Sequence, residues 1–222
     1  MEIELQPKVF DSEIGHQLTE YLLIHADLTR SLASLTLWAK KYSTRDVDAE
    51  SSTIVASLFR DGITQFVSCF DGPSNSVPLV VEEVYPNTEG IAPYFVWLRA
   101  LRNRFTAHRF GAARQCVVGV VIHPENGELI ALTPSYARYS GPSPEGHADL
   151  LGIVQMALQF AAKKVEDITA AHVAELNALS AEQRLALPRA EMIVPGPSDM
   201  KVSRGDIVRL RKARQSGEPT DQ

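Results

Sequence analysis

Cysteine is scarce in this chain: two in 222 residues, Cys69 and Cys116, far apart and without metal-ligand spacing. That pattern predicts two buried small hydrophobes in a reducing compartment. Long apolar runs are also missing. No stretch approaches the length of a membrane span, and the opening MEIELQPKVF is acidic, with no signal-like apolar core. A cytoplasmic protein with no membrane partner is the expectation. Excess positive charge is absent too. The formal net charge is −5, so the molecule as a whole does not bind nucleic acid by charge, although a local basic patch can. There is no His-x-x-x-His pair, so no metal is expected. Gly111, Gly119 and Gly127 have neither the spacing nor the lysine of a phosphate loop, and the serines form no nucleophile elbow. No cofactor is expected.

Apolar periodicity supplies the architecture. Ile14, Leu18, Leu22, His25, Leu28, Leu32, Leu35, Ala39 and Tyr42 recur every three or four residues, which predicts a helix over about 12–42 with Asp11 or Ser12 as its cap. A second helix over about 50–70 carries Ile54, Leu58, Phe59, Ile63, Phe66, Val67 and Phe70 on its stripe. Gly62 weakens it. DGPSNSVP is a turn by composition, and 79–84 fits either an extended or a helical segment. Pro93 suits the first turn of a third long helix, whose stripe is Ile91, Tyr94, Leu98, Leu101, Phe105 and His108 and which Gly111 ends. The period then changes. RQCVVGVVIH, an Asn126-Gly127 turn and LIALT read as a β-hairpin at about 114–134. A long helix over about 148–179 follows, with Leu150, Val154, Ala157, Ala161, Val165, Ile168, His172 and Leu176 on one face, then a short one over 181–187. The fold class is therefore mainly α: an antiparallel helical bundle with an inserted β-hairpin. One domain is expected over 1–190, with a charged, partly mobile extension over 191–222.

The segment IAPYFVWLRALRNRFTAH ends in a cluster with chemical potential. Arg102, Asn103, Arg104, His108 and Arg109 gather where the apolar stripe stops. Arg104 and His108 are one helical turn apart, and Arg102 and Arg109 share a face. Arg102 and His108 are six residues apart, about 120° around the axis and about 9 Å along it. They would not touch within one helix, so their cooperation calls for a second copy of the helix, as a two-fold dimer provides. Histidine is matched to proton transfer near neutrality, and arginine to clamping a phosphate. Together they suffice for metal-free RNA cleavage, in which the 2′-hydroxyl attacks the adjacent phosphorus. Asn103 would orient the phosphate or the arginine. The competing explanation is a core histidine near a helix end, with arginines that favour the helix dipole.

Arg102-Asn103-Arg104-Phe105-Thr106-Ala107-His108 resembles the signature of the HEPN superfamily: an arginine, a polar residue, several variable residues, then histidine. It is most similar to the segment of the abortive-infection members. Those tend to place an acidic residue soon after the histidine, where this chain has Arg109, Phe110 and Gly111. The specific likeness covers about 101–109; the helices over 12–179 agree with HEPN architecture in a general way. The resemblance implies a helical bundle that dimerises and a metal-independent endoribonuclease of a toxin–antitoxin or phage-defence system. Arg102 and His108 would be catalytic with Asn103 between them, Arg104 and Arg109 would contact RNA, and a cognate antitoxin would be a partner. Other HEPN domains are inactive binding modules, and a purely structural helical protein is the remaining alternative.

The other candidates carry less. His25 and His172 lie on apolar stripes and read as core or interface residues. His16, His123 and His147 lie near element starts or loops, and Trp38 and Trp97 read as packing residues. Lys201, Arg204, Arg209, Arg211, Lys212 and Arg214 form a basic stretch able to hold an RNA backbone, or simply to balance an acidic body.

Overall fold

A computed structural model describes residues 7–43, 49–71, 77–107 and 114–190. The elements run α1 (Glu13–Ser43), α2 (Ala49–Ser68), α3 (Val81–Val84), α4 (Ile91–Ala107), β1 (Arg114–Ile122), β2 (Leu129–Arg138), α5 (Pro144–Ala178) and α6 (Ala181–Ala186). The protein is thus mainly α with a two-stranded antiparallel hairpin. The ambiguous 79–84 segment contains the single turn α3.

Helix α1 is the organising element. Its 31 residues span about 46 Å, and it packs on both α2 and α5. Ser12 at its start meets Glu175, near the end of α5, while Trp38 near its end meets His147, near the start of α5. The two helices are therefore antiparallel. The pairs Ser31–Gly62 and Cys69–Ile24 set α2 antiparallel to α1 in the same way. Tyr21, Ile24, Leu28, Ser31, Leu35 and Trp38 are buried, whereas Leu22, expected inside, is half exposed. Ile54 of α2 is likewise more exposed than its periodicity suggested, while Phe59, Ile63, Phe66, Val67 and Phe70 are buried as expected. On α5 the expected stripe holds: Leu150, Val154, Ala157 and Ala161 are buried, and Val165 and Ile168 pack against the core from its edge.

Capping follows local chemistry. The Ser12 hydroxyl accepts from the Gly15 N–H at 3.0 Å, which caps α1. Ser180 and Gln183 form a reciprocal capping box at the start of α6. One aromatic cluster holds the middle of the bundle: Phe70 and Phe95 touch each other, and each touches both Phe66 and Tyr85. The Tyr85 hydroxyl donates to the Ile153 carbonyl at 2.8 Å and so pins the α3 segment to α5. A second cluster gathers Trp38, Tyr42, Phe59 and His147. Gly141, at φ 133°, lies so close beneath Trp38 that a side chain there would overlap the indole.

The N-terminal strap closes on the end of the bundle. Val9 N–H donates to the Pro188 carbonyl, and Ala190 N–H to that of Pro7, each at 2.9 Å. Lys8 Nζ donates to the carbonyls of Leu185 and Leu187.

The cysteines divide. Cys69 is buried, and burial together with nearby Asp27 pushes its thiol up to about 12. Cys116 is exposed on β1, which corrects the expectation that both are core residues. It is exposed because the hairpin stands off the bundle: the extensive packing of its strands, among the described residues, is with each other.

Candidate functional site

Helix α4 carries the candidate cluster. Gly90, at φ 76°, turns the chain into it, and Tyr94 N–H makes the first helical bond to the Gly90 carbonyl. Pro93 sits in the first turn, where its missing donor costs nothing. Ile91, Phe95, Leu98 and Leu101 are buried and fix which face meets α2. Phe95 was absent from the expected stripe, yet it is the ring that joins Phe66, Phe70 and Tyr85.

This packing sets Arg99 and Arg102, three residues apart, along the edge of α4 beside the end of α2. Asp71 stands between them. Arg99 Nε donates to Asp71 Oδ1 and Arg102 Nη1 to Asp71 Oδ2, both at 2.8 Å. Arg99 also reaches the Phe70 carbonyl at 3.5 Å. The other side of the Arg102 guanidinium turns to its neighbour: Nε and Nη2 donate to Asn103 Oδ1 at 3.2 and 3.0 Å. Arg102 is thus oriented by a carboxylate and an amide carbonyl together. Its side chain retains 22% exposure. Asn103 and Arg104 are exposed on the last turns of α4. His108 and Arg109 lie outside the described residues, as does the basic stretch over 201–214.

Two cationic side chains on one carboxylate leave a net positive corner, with Arg104 adjacent in sequence. Such a corner can hold a phosphate through guanidinium donors, in competition with Asp71. Asp71 and Arg99 escaped the sequence reading. Asp71 lies in a turn recognised only by composition, 31 positions before Arg102, and only the fold brings them together.

A second polar group looks more catalytic than it is. Ser12 Oγ lies 3.3 Å from His172 Nδ1 and donates to Glu175 Oε2 at 2.8 Å. Glu175 is also 3.5 Å from that same Nδ1. A working triad places the hydroxyl and the carboxylate on opposite ring nitrogens. Here both crowd one nitrogen, the hydroxyl also caps α1, and the His172 ring stacks on Phe10. The group ties the start of α1 to α5. Buried His147 is equally structural: Nε2 lies 3.3 Å from the Pro142 carbonyl, beneath Trp38 and Tyr42. Glu13 and His16 have a Glu-x-x-His spacing, but His16 Nε2 is on Asp11 at 2.6 Å. Among the described residues no group of three or more His, Cys, Asp or Glu side chains is arranged to hold a metal ion, and no helix is long and apolar enough to cross a membrane.

Compared with family models, curated proteins and solved structures, the chain matches none.

Proposed function

We propose that this protein is a metal-independent endoribonuclease of HEPN type. The supporting observation is the pairing of Arg102 with Asn103 at the end of α4, six and five residues before His108. In this reading Arg102 stabilises charge on the phosphoryl oxygens. His108 moves the proton during 2′-hydroxyl attack, Asn103 holds the guanidinium in plane, and Arg104 and Arg109 contact the RNA backbone. The six-residue spacing requires two copies of the helix for a complete site. A toxin or phage-defence role, with a cognate antitoxin, is the biological context the motif resemblance supplies.

The test is cleavage of a mixed RNA pool in the presence of a chelator, with wild type, His108→Ala and Arg102→Ala, and circular dichroism to verify folding. Loss of about 100-fold or more with His108→Ala is expected from removal of a general acid–base group. Equal cleavage by folded wild type and His108→Ala refutes the assignment.

A second reading rests on Asp71. Its carboxylate and the Asn103 carbonyl bond all three Arg102 nitrogens, as in a non-catalytic module where the arginine only joins α4 to the end of α2. RNA binding without cleavage, unchanged by His108→Ala, would select that reading.

A further inference from the structure

The hairpin is the least explained part of the molecule. Its strands expose apolar side chains along their length: Val118 and Val120 are each 61% exposed, Leu132 64% and Tyr136 79%. A lone two-stranded ribbon is marginal in water; three or more strands with an apolar face are the usual stable unit.

The two edges of the ribbon differ. His123 N–H donates to the Glu128 carbonyl at 2.8 Å, and the His123 carbonyl accepts from Gly127 at 2.9 Å. With a strand period of two, the backbone groups of Val117, Gly119 and Val121 therefore face β2, while those of Cys116, Val118, Val120 and Ile122 face outward. On β2, Pro134 stands opposite Val118, so its nitrogen lies on the outer edge, where it offers no donor. The register also slips beside Val121 and Ile122, which places an additional residue, Ile130, in β2. Proline and a bulge are two standard ways to blunt an edge. The β2 edge has both. The β1 edge has neither.

The β1 sequence is self-complementary as well. Cys116-Val117-Val118-Gly119-Val120-Val121-Ile122 reads as valine pairs symmetric about Gly119, with no charged residue from Gln115 to Ile122. Gly119 is not required by its own chain. Its φ is not in the positive range, and a Cβ there would meet only the Thr133 carbonyl at an ordinary 3.5 Å. Glycine inside a strand often marks the close approach of another backbone.

We propose that β1 pairs antiparallel with β1 of a second copy, about a two-fold axis at Gly119, to form a four-stranded sheet in the order β2-β1-β1-β2. Val118 then lies opposite Val120 of the second copy, Val117 opposite Val121, and Cys116 opposite Ile122. Cys116, Val118, Val120 and Ile122 exchange backbone hydrogen bonds across the axis. The residues on the same face, Leu132, Pro134 and Tyr136 included, join into one apolar surface. Because both outer edges are then β2, the assembly closes at two copies instead of growing into a filament. This inference rests on the hairpin and not on the ribonuclease reading; a monomeric wild type would overturn both, whereas the charge and cysteine variants of β1 test the ribbon alone.

The experiment is light-scattering mass measurement and sedimentation on the full chain, with circular dichroism on each variant. Wild type is expected to be a dimer. Val118→Lys with Val120→Lys sets like charges opposite each other and is expected to weaken association by more than about tenfold. Val118→Lys with Val120→Glu sets opposite charges across the axis and retains the dimer. Should a lysine variant fail to fold, Ile122→Cys reads the register directly. Hydrogen-bonded antiparallel partners are about 5.5 Å apart at Cα, a span a disulfide accepts. Mild oxidation should therefore link Cys116 to the thiol introduced at 122 of the other chain, while Val121→Cys, on the opposite face, should not link. A monomeric wild type, a filament, a folded double-lysine variant still dimeric at wild-type affinity, or linkage at 121 and not 122 overturns the proposal.

Discussion

Replacing Gly62 with alanine should destabilise the protein, although helix propensity argues the reverse. In an exposed helix the change gains about 1 kcal/mol. In α2 the added Cβ would lie 2.5 Å from Leu35 Cγ and 2.8 Å from its Cδ2. Carbon contacts are comfortable at about 3.5–4.0 Å, so α1 and α2 must part by roughly an ångström. Leu35 is fully buried, and the clash involves its branching carbon, so rotation of a methyl group does not relieve it. The buried Ser31 hydroxyl donates to the Gly62 carbonyl at 2.8 Å, and that bond stretches if the helices separate. Overpacking of this kind costs about 1–3 kcal/mol. With a contact this short the upper part of that range applies, which leaves a net loss of about 1–2 kcal/mol. Leu35→Ala alone should cost about 2–5 kcal/mol as a cavity. In that background the clash is gone, and Gly62→Ala should become neutral or stabilising by up to about 1 kcal/mol. Urea titration followed by far-ultraviolet circular dichroism on the four proteins closes the cycle. If Gly62→Ala is as stable as wild type with Leu35 present, the close approach of α1 and α2 is wrong.

Beyond the nuclease and hairpin experiments, two predictions concern titration and thiols. A thiol reagent at pH 8 should modify Cys116 quickly and Cys69 only on unfolding, because burial keeps the Cys69 thiol protonated; rapid modification of two thiols in the folded protein contradicts this. Burial also raises the Tyr85 and Tyr94 hydroxyls, the latter to about 12. Groups whose folded values lie above their unfolded ones contribute stability that is complete below the unfolded value and lost as pH rises toward the folded one. The urea midpoint should therefore fall from about pH 9 upward. Tyr85→Phe, which removes the bond to Ile153, should cost about 1 kcal/mol at pH 7 and flatten the alkaline decline. A midpoint that stays constant from pH 9 to 11 rules this out.

The long helix α5 was the easiest element to read. The stripe of α5 was legible from Leu150 to Ala161 because one face meets the core and the rest meets water. Helix α1 was read as a helix but with its inward face turned. Its buried row includes Tyr21, Ser31 and Trp38, because the face that meets α2 and α5 carries a serine that apolar periodicity passes over. The hairpin and its Asn126-Gly127 turn were legible from β-branched density and turn chemistry. The exposure of Cys116 was not, because a strand that stands off its bundle looks, in sequence, like one that packs. Trp97, read as a packing residue, is 39% exposed yet touches the Tyr94 and Tyr139 rings. At the candidate site the sequence singled out Arg102 and Asn103 but gave no hint of Asp71 or Arg99, whose meeting depends on how α4 crosses the end of α2.

The strap that joins residues 7–9 to 188–190 has a topological consequence. The bundle between these points is a closed loop of chain, with both ends of the loop held by the same few backbone bonds. Such a protein should tolerate circular permutation. A chain rejoined by a short linker between 190 and 7, and opened at Asn126–Gly127, keeps every helix contact described above. It also leaves β1 and β2 as chain ends joined only by their own ladder, so such a permutant would separate the folding of the bundle from the pairing of the ribbon.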